Sequence, residues 1–205
     1  MKTIAILGGS FNPIHFGHSQ MVYFIANNNY ADEVWLMPCY ENVFNKPLVS
    51  AEDRLHMCRL VAHDLNSQTN IPIIASDYEI KNKLVGQTYN VLSNLIGEYK
   101  EKDVQFKLVI GQDNAETINR WYKYEGLIGL IPFIVFPRKF DNLDHDKWYM
   151  EDPHIYLDGL ELNDISSTYI RNLFKEYPFK YTKVCNYINR DVLAYIKERK
   201  LYGYK

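Results

Sequence analysis

Thr3-Ile4-Ala5-Ile6-Leu7-Gly8-Gly9-Ser10-Phe11-Asn12-Pro13-Ile14-His15-Phe16-Gly17-His18 joins a short apolar run to a small-residue turn and then to a segment with helical spacing. Thr3–Leu7 reads as a buried strand, because it is nearly continuously apolar rather than alternating. A strand, a tight turn and a helix start place the first N–H groups of the helix, with its positive dipole end, at one spot. Gly8 and Gly9 permit a close approach of backbone to a bound group, and Pro13 stiffens the turn. His15 and His18 are three residues apart and share a helical face. The combination fits an anionic, phosphate-bearing ligand.

The same strand-then-helix pattern continues outward. Strand-like runs follow at Glu33–Met37, Ile71–Ala75, Phe106–Ile110, Phe133–Phe136 and Ile155–Leu157. Helical stretches lie between them at Gly17–Asn28, Ala51–Asn66, Thr88–Tyr99 and Asn114–Trp121. Ser50 followed by Asp53 supplies a capping start for the second helix. Repeated short βα units predict an α/β fold, a Rossmann-like doubly wound parallel sheet. After Pro137 the pattern changes. Asp141–Asp146 reads as a loop, and the tail holds short helices at Ser166–Phe174, Val184–Ile188 and Arg190–Arg199. The expectation is a single domain over residues 1–205, with a core of about 1–160 and a small helical C-terminal extension of about 161–205.

Composition narrows the class. The chain has 205 residues, 47% of them hydrophobic and 23% charged, which is globular rather than disordered. A formal net charge of −2 implies no general affinity for nucleic acid, and the 17 tyrosines form no stacking stripe. Cys39, Cys58 and Cys185 are odd in number and widely spaced, the pattern of reduced thiols in a cytoplasmic protein rather than a disulfide framework. There is no signal-peptide pattern and no apolar run of membrane-spanning length.

The first loop is neither a Walker A motif nor the GxGxxG of dinucleotide-binding oxidoreductases. A His-x-x-His pair could form half of a metal site, but no third His, Cys or carboxylate stands at a supporting spacing, so no metal ligands are assigned. Gly8–His18 instead resembles the GxF(D/N)PxHxGH signature of the nucleotidyltransferase superfamily, with His15-Phe16-Gly17-His18 supplying HxGH in full. The resemblance implies that the phosphate of a bound nucleotide attacks the α-phosphorus of ATP, pyrophosphate leaves, and no covalent enzyme intermediate forms. His15 and His18 would neutralise the ATP phosphates, and Gly8, Gly9, Ser10, Phe11 and Gly17 would shape the loop that binds them.

Ile165-Ser166-Ser167-Thr168-Tyr169-Ile170-Arg171 resembles the superfamily's ISSTxIR segment. By itself it is an ordinary helix cap followed by a surface arginine. Beside the first motif, it implies a hydroxyl-rich helix start at Ser166, Ser167 and Thr168 for phosphate oxygens, and a forked cation at Arg171. Ile110-Gly111-Gln112-Asp113 is similar to the IGxD of pyridine-nucleotide adenylyltransferases, which would put Gly111 and Asp113 near the ATP ribose and adenine. The same family implies that Trp121 stacks on the pyridine ring and that Arg138 lines the nucleotide pocket. Lys46 would meet the acceptor phosphate, supported by Arg54, and Thr88 would contact the pyridine substituent.

The resemblance thus identifies the chain as a member of the nicotinate- or nicotinamide-mononucleotide adenylyltransferases, with ATP and a pyridine mononucleotide as substrates and Mg²⁺ carried on the ATP phosphates. A homo-oligomer is compatible with the sequence. Pantetheine-phosphate adenylyltransferase shares both terminal motifs but not the IGxD and tryptophan pair. Cytidylyltransferases share HxGH but differ in the C-terminal signature. A silent nucleotide-binding module would not need His15, His18 and Arg171 together.

Overall fold

β1 (Lys2–Gly9), β2 (Glu33–Pro38), β3 (Ile73–Ala75), β4 (Val104–Gly111), β5 (Phe133–Phe136) and β6 (Ile155–Tyr156) form one sheet in the order β3-β2-β1-β4-β5-β6. Every pairing is parallel. This computed structural model describes residues 1–41, 47–85, 87–137, 147–160, 162, 165–176 and 181–204. The helices are α1 (Phe16–Asn27), α2 (Ala51–Asn66), α3 (Tyr78–Lys81), α4 (Thr88–Glu98), α5 (Gln112–Glu116), α6 (Tyr124–Leu130), α7 (Ser167–Lys175), α8 (Tyr181–Val184) and α9 (Arg190–Glu198).

β2 and β5 are buried throughout, and β1 over Ile4–Leu7 and β4 over Leu108–Ile110 likewise, as their apolar runs predict, whereas the edge strands β3 and β6 are only partly covered. Successive side chains of β1 alternate between two cores: Ala5 and Leu7 face one, Ile4 and Ile6 the other. The first core takes Val22 and Ile25 of α1, Val61 and Leu65 of α2, and Ile170, Leu173 and Ile196 of the C-terminal helices. The second takes Leu92 and Leu95 of α4 and Leu127 of α6. Each fully buried aliphatic side chain of this kind stabilises the fold by about 1.5–3 kcal/mol. Helices therefore cover both faces, and the expected doubly wound Rossmann-like α/β sheet is what forms.

The C-terminal helices are tied to the sheet by polar contacts as well as by the core. Asn189 caps α9 by accepting from the Asp191 amide at 2.8 Å, while its Nδ2 donates to Asp64 of α2 at 3.0 Å. At the other end of α2, Asp53 Oδ1 accepts from the Tyr195 hydroxyl at 2.7 Å and from Arg199 Nε at 3.3 Å. Burial works to raise the Asp53 carboxyl, but hydrogen bonds from Tyr195 and Ser50 and the charge of Arg199 outweigh it and hold it below the usual range. The Ser50 cap expected for α2 is present, with Oγ accepting from the Asp53 amide at 3.0 Å.

Some elements differ from expectation for local reasons. β3 starts at Ile73 instead of Ile71, since Pro72 has no N–H and gives only its carbonyl, to Val34 at 3.0 Å. The helix expected over Asn114–Trp121 is broken. α5 ends at Glu116, and a 3₁₀ turn follows over Ile118–Arg120. Thr117 Oγ1 donates to the Asp113 carbonyl at 2.8 Å, the local side-chain bond that competes with helix continuation. The helix expected at Val184–Ile188 lies one turn earlier, as α8, and the chain then turns so that the Tyr187 carbonyl can accept from Phe16 at 2.8 Å. The loop assigned to Asp141–Asp146 lies outside the described residues. Among the described residues no helix is long and apolar enough to cross a membrane.

Candidate active site

β1 and β4 are neighbours in space, yet the chain leaves β1 toward β2 and β3 before returning to β4. A crevice opens at the carboxyl ends of two such strands, where the direction of winding reverses. Here it is a cleft of about 290 Å³ between the ends of β1 and β4 and the starts of α1 and α7. Gly8, His15, Gly17, His18, Gly111, Asp113, Trp121, Ser166 and Ser167 all line it.

The first motif is shaped by its own side chains. His15 occupies the cap position of α1 and is 7% exposed. Its backbone N–H donates to His18 Nδ1 at 3.2 Å, and the two imidazole rings lie 3.8 Å apart at 32°. An Nδ1 that accepts leaves the proton of a neutral His18 on Nε2, so that nitrogen is a donor. Phe11 is buried with φ of 44°, and its ring meets the His18 ring edge-on at 5.0 Å. Phe11 therefore fixes the orientation of His18 and does not line the cleft. Gly9 and Ser10 also stand behind the loop: the Gly9 carbonyl accepts from Cys39 at 3.0 Å, and Ser10 Oγ accepts from the Cys39 thiol at 3.8 Å.

The second motif closes directly on the first. Ser166 caps α7, accepting from the Tyr169 amide at 3.2 Å. Ser167 Oγ donates to the Pro13 carbonyl at 2.8 Å, across 154 residues of sequence. Arg171 donates through Nη1 to the Asn12 carbonyl at 2.8 Å and through Nη2 to Thr168 Oγ1 at 3.0 Å. Thr168 and Arg171 thus brace the rim and are not among the residues that line the cleft. The two helix starts, with their partial positive charge, and the His18 donor converge on one small volume.

At the β4 end, Gly111 leaves room for a close approach. A Cβ there would stand 2.8 Å from Asp113 Oδ1, so glycine lets that carboxylate lie over the strand end. Trp121 lines the same side of the cleft. Thr88 opens α4 and does not line the cleft itself, but the neighbouring Tyr89 ring carries the Lys123 ammonium at 5.1 Å. The ammonium is 5.4 Å from the Tyr122 ring as well, which brings a cation to the Trp121 side.

Arg54, expected to support Lys46 at the acceptor phosphate, is turned onto backbone carbonyls. It is 1% exposed and donates to the carbonyls of Ser10 at 3.0 Å, Tyr40 at 2.9 Å and Val49 at 3.2 Å. It therefore holds the walls around the site and does not reach into it. Glu79, which sequence reading passed over, is buried beside it and accepts from the Tyr40 amide at 3.4 Å. Burial pushes the Glu79 carboxyl up to about 7, against the opposing effects of the Tyr40 amide and the Arg54 charge. Burial also raises the Cys39 thiol, so the cysteine stays protonated at neutral pH while Glu79 titrates across it.

Asn12 is the other residue whose role the sequence hid. It is 3% exposed, donates to the Pro47 carbonyl at 3.2 Å and accepts from the Val49 amide at 3.3 Å. Its position in the motif was visible, but nothing local shows that residues 47–49 fold back onto it. Lys46 and Arg138 lie outside the described residues.

A cytidylyltransferase-like family model matches residues 6–173. The chain is 35% identical over 174 residues to the probable nicotinate-nucleotide adenylyltransferase of Fusobacterium nucleatum, covering 84% of this chain and 87% of that one. It is 33% identical over 205 residues to the probable nicotinate-nucleotide adenylyltransferase of Lactococcus lactis, covering 98% and 95%. Among solved structures, the nicotinic acid mononucleotide adenylyltransferase of Plasmodium falciparum complexed with NaAD superposes with a TM-score of 0.81 at 24% identity, over 100% of this chain and 99% of that one, a likeness of fold. Motifs that meet across the cleft and relatives that align along nearly the whole chain agree: it belongs to the cytidylyltransferase-like family and, within it, to the nicotinate-nucleotide adenylyltransferases.

Proposed function

We propose that the protein transfers the adenylyl group of ATP to nicotinate mononucleotide, or to its nicotinamide counterpart, yielding the dinucleotide and pyrophosphate in NAD biosynthesis. The observation that carries this reading is the hydrogen-bonded closure of Ser167 and Arg171 onto the Pro13 and Asn12 carbonyls. It builds one anion-binding cleft from two distant motifs, and the curated relatives support the pyridine acceptor.

An oxygen of the acceptor phosphate forms a bond to the α-phosphorus as the bond to the bridging oxygen breaks. Pyrophosphate takes away that electron pair. Such transfers gain chiefly from positioning and from offsetting charge. His18, a donor through Nε2, and His15 face the phosphates, while Ser166 and Ser167 offer hydroxyls and helix-start amides and Thr168, at the rim, steadies the Arg171 fork. Arg171 supplies the forked cation for the outer phosphates. Gly111 and Asp113 receive the nucleoside part, and Trp121 stacks on the pyridine. Lys46 meets the acceptor phosphate, Thr88 and Arg138 complete that side, and Arg54 holds the surrounding backbone.

Among the described residues no group of three His, Cys, Asp or Glu could hold a metal ion. The imidazoles and hydroxyls lining the cleft offer no set of oxyanions for Mg²⁺, so the ion would arrive on the ATP phosphates and offset part of their charge there. Cytoplasmic residence, with Cys39, Cys58 and Cys185 as free thiols, belongs to the same reading.

The test is to incubate the protein with ATP, Mg²⁺ and, separately, nicotinate mononucleotide, nicotinamide mononucleotide or phosphopantetheine, and to measure pyrophosphate and product. Release with a pyridine mononucleotide is expected, fastest with nicotinate. Release with phosphopantetheine alone would overturn the acceptor assignment, and none with any of the three would point to a silent nucleotide-binding module.

A further inference from the structure

Tyr202 Oη is buried and has no hydrogen-bond partner among the described residues. Native proteins rarely leave a hydroxyl in that state, so it calls for a reason. The same residue has φ of 58° and ψ of 22°, the left-handed conformation that a tyrosine adopts only when its surroundings impose it. Two unfavourable features therefore coincide in the 3₁₀ turn Leu201–Gly203 at the end of the chain.

The packing says what the turn serves. The Tyr202 ring stacks on Phe174 with centroids 5.9 Å apart and planes at 20°. Phe174 lies three residues beyond Arg171 on α7, so the two share a helical face. Burial raises the Tyr202 hydroxyl above its ordinary value, while the Arg171 and Arg54 guanidiniums pull it down and the Asp53 carboxylate adds a smaller push upward. The group stays a neutral hydroxyl, able to accept, in the field of both arginines. Those arginines are the ones that hold the loop, Arg54 at the Ser10 carbonyl and Arg171 at the Asn12 carbonyl.

We propose that Tyr202 is a positioning residue for Arg171, its hydroxyl accepting a guanidinium N–H when the phosphates of the nucleotide draw the fork away from the Asn12 carbonyl. The inference rests on the adenylyl-transfer reading above. A guanidinium has five N–H groups, and the Asn12 and Thr168 contacts leave donors to spare. The unpaired hydroxyl is then an acceptor held in reserve, and the strained turn is what keeps it under α7.

Tyr202→Phe separates this role from a merely structural one, because phenylalanine keeps the ring on Phe174. The assay measures thermal midpoint and steady-state kinetics with ATP, Mg²⁺ and nicotinate mononucleotide, for wild type, Tyr202→Phe, Arg171→Lys and the double variant. The expected result is a midpoint equal to or above wild type and a kcat lower by roughly 10-fold. The KM for the mononucleotide stays unchanged, and Tyr202→Phe has no further effect in the Arg171→Lys background. A kcat within twofold of wild type overturns the proposal. So does a lowered midpoint, which would mean that the hydroxyl is already bonded in the resting fold, or an additive effect in the double variant. Wild-type protein inactive with both pyridine mononucleotides overturns the adenylyl-transfer reading, and this proposal with it.

Discussion

The Arg171 guanidinium donates to the Asn12 carbonyl at 2.8 Å, joining residues 159 positions apart in sequence. Through this bond, the helix start that follows the sheet is fixed against the turn that follows its first strand. Asn12 in turn grips residues 47 and 49 with its side chain, so the loop is held from both sides. A rearrangement at either motif is felt at the other.

Arg171→Lys keeps the charge and loses the fork. A lysine cannot serve the Asn12 carbonyl and Thr168 Oγ1 at once with fixed geometry. Losing one charge-assisted hydrogen bond at about 1.5–3 kcal/mol corresponds to a fall of roughly 10- to 100-fold in kcat/KM for ATP. Steady-state kinetics with ATP varied at saturating acceptor measures it. The thermal midpoint should move by only a few degrees.

Asn12→Asp should weaken the fold more than the chemistry. The carboxylate still accepts from Val49 but cannot donate to the Pro47 carbonyl, and it buries a charge at a site 3% exposed. A buried group left unsatisfied costs about 1–3 kcal/mol, which for a chain of this size is roughly 2–10 °C in thermal midpoint. Melting curves at falling pH check the cause, because protonating the carboxyl restores a donor and should narrow the gap.

Glu79 gives a pH dependence with a definite sign. Its folded-state value of about 7 lies above the ordinary 4.5, so the native protein binds this proton more tightly than the unfolded chain does. Its contribution to stability is complete below about pH 4.5 and is lost as pH rises to about 7, to the extent of roughly 3 kcal/mol. Glu79→Gln removes that proton. Denaturant unfolding across pH 5–8 should show a flatter profile for the variant, with its largest relative gain at pH 8. Parallel profiles would mean that Glu79 does not titrate in this range.

Legibility in the sequence followed the range of the interactions. α2 begins at Ala51 and ends at Asn66 as its apolar spacing and Ser50 cap predict, and β5 is Phe133–Phe136 as read. α6 was not foreseen, since it has seven residues and starts from Lys123 in a left-handed conformation with no capping side chain. Gly8, His15 and His18 were legible because their motif is a local strand–turn–helix pattern, whereas Ser166 and Ser167, an ordinary helix cap taken alone, were singled out only through the family resemblance; both motifs reach one cleft. Arg54 looked like a ligand-facing cation because its environment is made of Ser10, Tyr40 and Val49 carbonyls brought together only by tertiary folding. Tyr202 gave no signal at all: an unpaired hydroxyl is a property of the packed fold.

The central claim is that the imidazoles beside the cleft offset phosphate charge during transfer. Its most direct test is the rate of dinucleotide formation by His18→Ala at saturating ATP, Mg²⁺ and nicotinate mononucleotide, with melting curves run alongside. Loss of one donor aimed at developing charge predicts a kcat lower by about 10²–10³-fold, with the thermal midpoint within a few degrees of wild type. A kcat within threefold of wild type in a folded variant would contradict the account.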